Sequence, residues 1–250
     1  MSGHSKWATI KRKKAANDAK RSNQYAKLLR AVEVAAREGG SGDVTANMTL
    51  ASAVEKAKSF SMPTDNIDRA IKRGSGTDGG GARYDEISYE GYAPGGIALY
   101  VEVLTDNRNR TAQDVRHAFA RNGGNLGETG STAWMFARKG VVVVEKASAP
   151  DDERLLELAM EGGAEDLRDS ESSWDIVSDP AAFEQVRRAL EAAGVDVFSA
   201  EISMVPQSTI PVDGGEAKQV LNLIESLEDL DDVQNVYANF DIPEAVMAAL

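Results

Sequence analysis

The chain has 250 residues, 42% of them hydrophobic, so it is long enough for two or three domains with a sizeable core. Its 28 Lys and Arg residues stand against 40 Asp and Glu residues, and this net charge of −12 by itself disfavours a nucleic-acid partner. The absence of Cys excludes disulfides, Cys-ligated metal centres and thiol nucleophiles.

The net charge hides a strong asymmetry along the chain. Residues 1–80 carry 15 basic and 8 acidic side chains, residues 81–150 carry 8 of each, and residues 151–250 carry 5 basic and 24 acidic ones. A basic N-terminal part therefore precedes an acidic C-terminal part. This pattern predicts a polyanionic partner for one end of the molecule only.

The apolar runs predict a cytoplasmic protein without membrane segments. His4 is followed by the basic cluster Lys11–Lys14, with no apolar segment that could form the core of a signal peptide. The longest strongly apolar strand-like run, Val141–Val144, is far shorter than the ~20 residues of a transmembrane helix.

The N-terminal third of the chain is predicted to be helical. From Asn17 to Arg37, apolar side chains recur at steps of three and four and form one stripe of an amphipathic helix. A second helix is predicted from about Ala46 to Ser59. A third begins near Pro63, with a cap expected on Thr64 or Asp65.

A Gly-rich run from Gly74 to Gly81 follows the third helix. Gly74, Gly76 and Gly79 match G-x-G-x-x-G, but a dinucleotide-binding turn needs a preceding strand, and here a helix precedes. The composition is typical of a flexible linker, and we expect a hinge.

The apolar period then changes from helical to alternating. Ile87–Tyr92 and Ile97–Leu104 predict two strands, and a helix over Arg110–Ala120 and a strand over Ala133–Phe136 follow.

The residues after 137 predict one complete ferredoxin-like unit of strands and helices and, after residue 205, one half of such a unit. The complete unit follows the β-α-β-β-α-β order of ferredoxin-like domains. The half unit has a strand, a helix over Glu216–Leu227 and a strand over Val233–Asn239, and alone it would leave a sheet edge uncovered. We therefore predict an α+β fold with a helical domain and linker in residues 1–81, a discontinuous ferredoxin-like domain in 82–137 with 206–250, and an acidic ferredoxin-like domain in 138–205 inserted between its halves.

The basic N-terminal segment is a candidate nucleic-acid-binding surface. Lys and Arg neutralise phosphates, and an indole can stack on a base. A solvated basic tail is the alternative, but the charge continues onto the polar face of the first helix, which favours a binding surface. The candidates are His4, Lys6, Trp7, Lys11, Arg12, Lys13, Lys14, Lys20, Arg21, Lys27 and Arg30.

A second candidate surface lies at the start of the helix after the predicted hairpin. Asp106 is expected in a turn, and Thr111 and Asp114 are spaced as a capping pair. Helix N-terminal amides beside arginines would hold a phosphate or a carboxylate, unless Asp106 and Asp114 simply pair with those arginines. The candidates are Asn107, Arg108, Asn109, Arg110 and Arg116.

The sequence predicts neither catalysis nor a metal. His4 and His117, the two imidazoles, have no second ligand at metal-binding spacing, and the acidic run from Glu225 to Asp232 lacks the Gly-punctuated spacing of a calcium loop. No nucleophile–base pair or P-loop is visible. We expect a non-enzymatic protein without a cofactor or small-molecule substrate.

Several blocks distributed over the whole chain resemble the YebC family. They are Met1–Ala8 with the adjoining basic cluster, Met62–Gly74, Tyr89–Gly96, Leu104–Thr111, Gly130-Ser131 with Trp134 and Phe136, and Asp231–Tyr237. The resemblance implies a helical domain followed by two α+β domains, and nucleic-acid-linked regulation of gene expression without catalysis. The family is described as transcriptional regulators and is related to a mitochondrial translational activator of cytochrome c oxidase. It implies DNA as the partner or, as the alternative, a ribosome-associated factor that binds ribosomal RNA or tRNA and relieves stalling at proline-rich stretches.

Overall fold

A computed structural model describes residues 18–76 and 84–243 of the chain. Three helices come first: α1 (Asp18–Glu38), α2 (Met48–Ser59) and α3 (Thr64–Gly74). The later elements are β1 (Asp85–Ala93), β2 (Ile97–Thr105), α4 (Arg108–Arg121), β3 (Asn125–Leu126), β4 (Phe136–Glu145), α5 (Asp152–Glu161), β5 (Ala164–Ser170), β6 (Ser173–Ser178), α6 (Phe183–Ala192), β7 (Ser199–Pro206), β8 (Ile210–Pro211), α7 (Gly214–Glu228), β9 (Val233–Ala238) and β10 (Phe240–Asp241).

The three N-terminal helices pack around the apolar stripes that the sequence predicts. Val32, Leu50 and Ile67, one from each helix, are buried in their common core. The predicted cap of α3 on Thr64 or Asp65 is wrong, because Pro63 occupies the N-cap position and no side chain caps the helix. The fixed φ of proline, here −59°, already directs the chain into the helix, and Thr64 lies inside it.

The first sheet brings together strands that are far apart in the sequence. Its order is β3-β1-β2-β9, and all neighbours are antiparallel. Helices α4 and α7 supply Phe119 and Leu223 to the core that the sheet also lines. The layout resembles a ferredoxin-like sheet, but the chain enters it at the interior strand β1, so the element order is permuted.

The second sheet has the order β5-β6-β4-β7. Its elements β4-α5-β5-β6-α6-β7 follow the predicted ferredoxin-like order, and α5 and α6 cover one face with a core around Ile176 and Leu190. In the sequence, this whole sheet lies between β3 and β8. Among the described helices, none is both long enough and apolar enough to cross a bilayer.

The predicted strand over Ala133–Phe136 is wrong, because only Phe136 is extended, as the first residue of β4. Residues Ala133–Met135 form a 3-10 turn, and β4 begins only at Phe136, which pairs with Pro206. The physical reason is that the backbone N–H of Ala133 donates to the carboxylate of Glu90 and is therefore unavailable to a strand ladder.

Candidate nucleic-acid interface

The structure describes the side chains of only part of the predicted interface. Lys20 and Arg21 lie in the first turn of α1, and their side chains fall outside the described part. The positions outside the described residues altogether are His4, Lys6, Trp7, Lys11, Arg12, Lys13 and Lys14.

Lys27 and Arg30, together with Asn23, dock α1 against the C-terminal end of α7. Asn23 and Lys27 donate to main-chain carbonyl oxygens at the end of α7, which the helix leaves without partners, and Arg30 donates to carbonyl oxygens just beyond α7 and in β2. The contacts are Asn23 Nδ2 to Asp229 O at 3.1 Å, Lys27 Nζ to Glu228 O, and Arg30 Nη1 to Asp231 O at 2.8 Å and Leu104 O at 3.1 Å. The last turn of α7 has no basic residue of its own, so the cations of α1 compensate the negative end of its macrodipole.

Asp232 connects the same helix to the predicted anion site. Its Oδ1 accepts a hydrogen bond from Arg30 Nη1 at 3.0 Å, and its Oδ2 accepts from Arg110 Nη2 at 2.7 Å and Thr111 Oγ1 at 2.6 Å. Burial opposes the charge, but the hydrogen bonds from Arg110 and Thr111 outweigh it and hold the pKa of Asp232 below its ordinary value. Arg30 and Arg110 therefore already share an ionised carboxylate within the chain.

The start of α4 differs from the prediction in its cap. Asn107 is the N-cap residue, and its side chain accepts a hydrogen bond from Arg110 N at 3.1 Å. The predicted capping pair Thr111 and Asp114 is wrong, because Thr111 already lies in the second turn of the helix. Its hydroxyl donates a hydrogen bond to the carboxylate of Asp232, a partner that the local sequence does not reveal.

The arginines of α4 differ in how strongly they are neutralised. Arg108 pairs with Asp85 at 2.8 Å and Arg110 with Asp106 at 2.8 Å, so the expected local pairing occurs for Asp106. Both are surface pairs of little net stability. Asn109 and Arg116 are exposed, and among the described residues no carboxylate lies within 4.0 Å of Arg116. Among the described candidates, Arg108 is thus exposed over 65% of its side chain, and Arg116 is exposed without a carboxylate partner.

The sequence analysis does not identify the role of Glu90. A charged residue within the predicted strand Ile87–Tyr92 is the feature that could have drawn attention to it. Glu90 is buried on β1, and its carboxylate accepts from Gly130 N at 2.7 Å, Thr132 N at 2.6 Å and Ala133 N at 2.6 Å. Burial raises the cost of its charge, but these three bonds lower the pKa of Glu90 below the ordinary value. The turn that they fix presents Trp134 with 68% of its surface exposed.

A cleft of about 880 Å³ lies between α1, α2, the end of α7 and the two sheets. Six of the nine charged residues of its lining are acidic. Burial together with the charges of Glu38 and Glu102 raises the pKa of Glu86. Such a lining repels phosphates. In the described part of the chain, no group of three or more His, Asp or Glu side chains could hold a metal ion. The charged residues of the lining are Glu86, Glu102, Glu201, Glu225, Glu228, Asp229, Lys27, Lys56 and Arg138.

Comparisons with known proteins cover nearly the whole chain. The model of the TACO1/YebC protein N-terminal domain matches residues 5–77, and that of the TACO1/YebC second and third domain matches residues 84–240. A "Probable transcriptional regulatory protein" of Syntrophus aciditrophicus is 53% identical over 250 residues, covering 100% of this chain and 99% of the relative. One of Rubrobacter xylanophilus is 56% identical over 248 residues, covering 99% and 98%. The crystal structure of a conserved hypothetical protein from Aquifex aeolicus is similar with a TM-score of 0.80 and 44% identity, covering 90% and 92%.

Proposed function

The chain belongs to the TACO1/YebC family, and from this premise we propose that it is a non-enzymatic, nucleic-acid-binding regulator of gene expression that acts on DNA. The name printed for its relatives, "Probable transcriptional regulatory protein", supports regulation of transcription. The observation that carries the proposal is the exposed basic surface around Arg108 and Arg116 on a protein whose net charge is −12.

The physical argument is that some arginines of this chain are neutralised by its own carboxylates and others are not. A chain with 40 carboxylates and 28 basic residues can neutralise its arginines internally, as it does for Arg30. Arg116 is left without such a partner among the described residues, and the pair of Arg108 with Asp85 is exposed enough for a phosphate to compete. The basic N-terminal segment supplies further cations. Together they would neutralise phosphates and release counterions.

The test measures, by fluorescence anisotropy, the binding of the full chain to unrelated DNA duplexes at several salt concentrations. We expect log K to fall with log[salt] by about 0.9 per phosphate contacted. A protein that recognises one operator sequence would also bind that duplex with an affinity about 10³-fold or more above that for unrelated duplexes. Equal binding to all duplexes would contradict sequence-specific regulation, and no binding would contradict the proposed function.

The contribution of the N-terminal cluster is tested by replacing Lys11, Arg12, Lys13 and Lys14 with Ala. If these residues bind phosphates, DNA binding weakens and the salt slope decreases by about one for each phosphate no longer neutralised, with little change in melting temperature. The matched control replaces four exposed basic residues elsewhere and changes the net charge equally. It consists of Lys58→Ala, Arg69→Ala, Arg154→Ala and Arg188→Ala. Unchanged affinity of the cluster variant would leave the cluster as a solvated tail.

One observation favours a second candidate, a ribosome-associated factor that binds ribosomal RNA or tRNA. Helices α4 and α7 both pack along a sheet, a placement that suits surface contact with phosphates better than insertion into a DNA groove. Sedimentation of a lysate through a sucrose gradient distinguishes the two candidates. Salt-sensitive migration with ribosomes would support the second candidate, and absence from ribosomal fractions with recovery on DNA would support the first.

A further inference from the structure

The outward face of α4 is polar along its whole length. The inner face buries Val115, Ala118 and Phe119 against the first sheet. The opposite face exposes Gln113, Arg116, His117, Ala120 and Arg121. Because this face has no large apolar side chain, it lacks the aromatic or aliphatic anchors of a typical protein-binding surface.

The charge of this face is also unusual for the molecule. Helix α4 carries four arginines and one carboxylate, Asp114. Among the described residues, neither Arg116 nor Arg121 has a carboxylate within 4.0 Å. On the second sheet, by contrast, every helical arginine is paired with an acidic residue. These arginines are Arg154 with Glu157, Arg187 with Glu184 and Glu55, and Arg188 with Glu184.

A local structural role explains only one of the two arginines. Arg121 lies in the last turn of α4, where a cation is favourable beside the negative end of the helix macrodipole. Arg116 lies in the middle of the helix and gains nothing from that field. Its guanidinium, exposed and without a carboxylate within 4.0 Å among the described residues, therefore points to an external anion.

We propose that the outward face of α4, with Gln113, Arg116, His117 and Arg121, binds the phosphodiester backbone of a double-helical nucleic acid. The proposal rests on the proposed function and extends the interface from Arg108 along the whole helix, about 20 Å for its 14 residues. Arg116 and Arg121 are five residues apart, or about 7.5 Å along the axis, so they contact separate phosphates. His117, between the two arginines, and Gln113, one turn before Arg116, donate further hydrogen bonds, and the small Ala120 permits close approach.

The test compares two doubly substituted full-length chains. The first carries Arg116→Ala and Arg121→Ala, and the control carries Arg154→Ala and Arg188→Ala, which change the net charge equally on other exposed helices. Binding is measured against a DNA duplex and an RNA hairpin of equal length over a salt series. For the first variant we expect weaker binding than for the unaltered chain and a salt slope that is lower by about two, whereas the control keeps both values.

The outcomes separate this inference from the proposed function. Weaker binding to the DNA duplex, to the RNA hairpin or to both supports the inference and identifies the source of the phosphates. If the unaltered chain binds and the α4 variant behaves like the control, the inference is wrong while the proposed function stands. An equal decrease in both variants also overturns it, since general charge then explains the effect. An unaltered chain that binds neither nucleic acid overturns both proposals.

Discussion

At the scale of single residues, two buried carboxylates organise the surroundings of the candidate interface. Glu90 fixes the turn from Gly130 to Ala133, and Asp232 gathers Arg30 and Arg110. Both carboxylates have a pKa below the ordinary value, because their hydrogen bonds outweigh the cost of burial. The sequence shows that both residues are acidic, but their partners are 40 or more residues away and only the fold reveals them.

Substitution of Glu90 tests the role of its charge. In Glu90→Gln, one backbone N–H must face an amide NH₂ group, because an amide has one acceptor oxygen where the carboxylate has two. We expect a loss of about 2 kcal/mol in the free energy of unfolding, measured by urea denaturation. Glu128→Gln, an exposed change near the same turn, is the control and should have no measurable effect. Equal stability of both variants would contradict the structural role of Glu90.

The same residue predicts a pH dependence. Since the folded-state pKa of Glu90 is depressed, its stabilising contribution is present above the unfolded value near pH 4 and is lost as the pH falls through the folded value. The difference in stability between the unaltered chain and Glu90→Gln should therefore be largest at neutral pH and shrink below about pH 4. Urea titrations at pH 7, 5, 4 and 3 measure it. A constant difference across this range would show that the carboxylate charge is not responsible.

At the scale of elements, the docking of α1 onto the end of α7 is the main departure from the sequence-based interpretation. The polar face of α1 was expected to meet phosphates. Instead, Lys27 donates to a carbonyl at the end of α7, while Arg30 donates to the carbonyl of Asp231 just beyond that helix and to the carboxylate of Asp232. The amphipathic period of α1 is visible in the sequence, but it cannot tell whether a basic face meets an external or an internal acceptor.

Asp232→Asn tests this docking. The substitution leaves Arg30, whose side chain is 19% exposed, without its carboxylate and replaces an acceptor of Thr111. We expect a loss of about 3 kcal/mol in the free energy of unfolding, because removing one partner of a buried ion pair strands the other. Adding Arg30→Met should restore part of that loss, since no charge then remains unpaired. Asp106→Asn, which removes the exposed partner of Arg110, should change little. If the losses in unfolding free energy of Asp232→Asn and Arg30→Met simply added, a direct coupling between these two residues would be contradicted.

At the scale of the whole molecule, the two sheets differ in how their cores are built. The first core combines residues 93–119 with residues 212–242, whereas the second uses only residues 142–195 and partly buried neighbours within 149–202. This supports the proposed insertion of residues 138–205 between the halves 82–137 and 206–250. The pairing of Phe136 with Pro206 suggests that the self-contained unit is slightly longer than this.

Excision of the inserted unit tests the domain proposal. A fragment of residues 136–206 contains β4 to β7 and their core, so we expect a cooperative thermal transition by circular dichroism. A fragment of residues 138–205 lacks the last two pairs of β4 with β7, Phe136 with Pro206 and Ala137 with Val205, and should melt at a lower temperature. The absence of a transition in both fragments would mean that the second sheet depends on the rest of the chain.

The sequence by itself determined the main helices and strands, because hydrophobic period and turn chemistry are local, but not the short strands β3, β8 and β10. It predicted the three helices, the change to alternating strands and the β-α-β-β-α-β order of the second sheet, and the blocks distributed along the chain indicated the family. Tertiary structure alone decided that β2 pairs with β9, that the element order of the first sheet is permuted, and which basic residues are neutralised within the chain. The reason is the same in each case: whether a charge is neutralised depends on carboxylates and helix ends about 200 residues away, as for Arg30, or on their absence nearby among the described residues, as for Arg116.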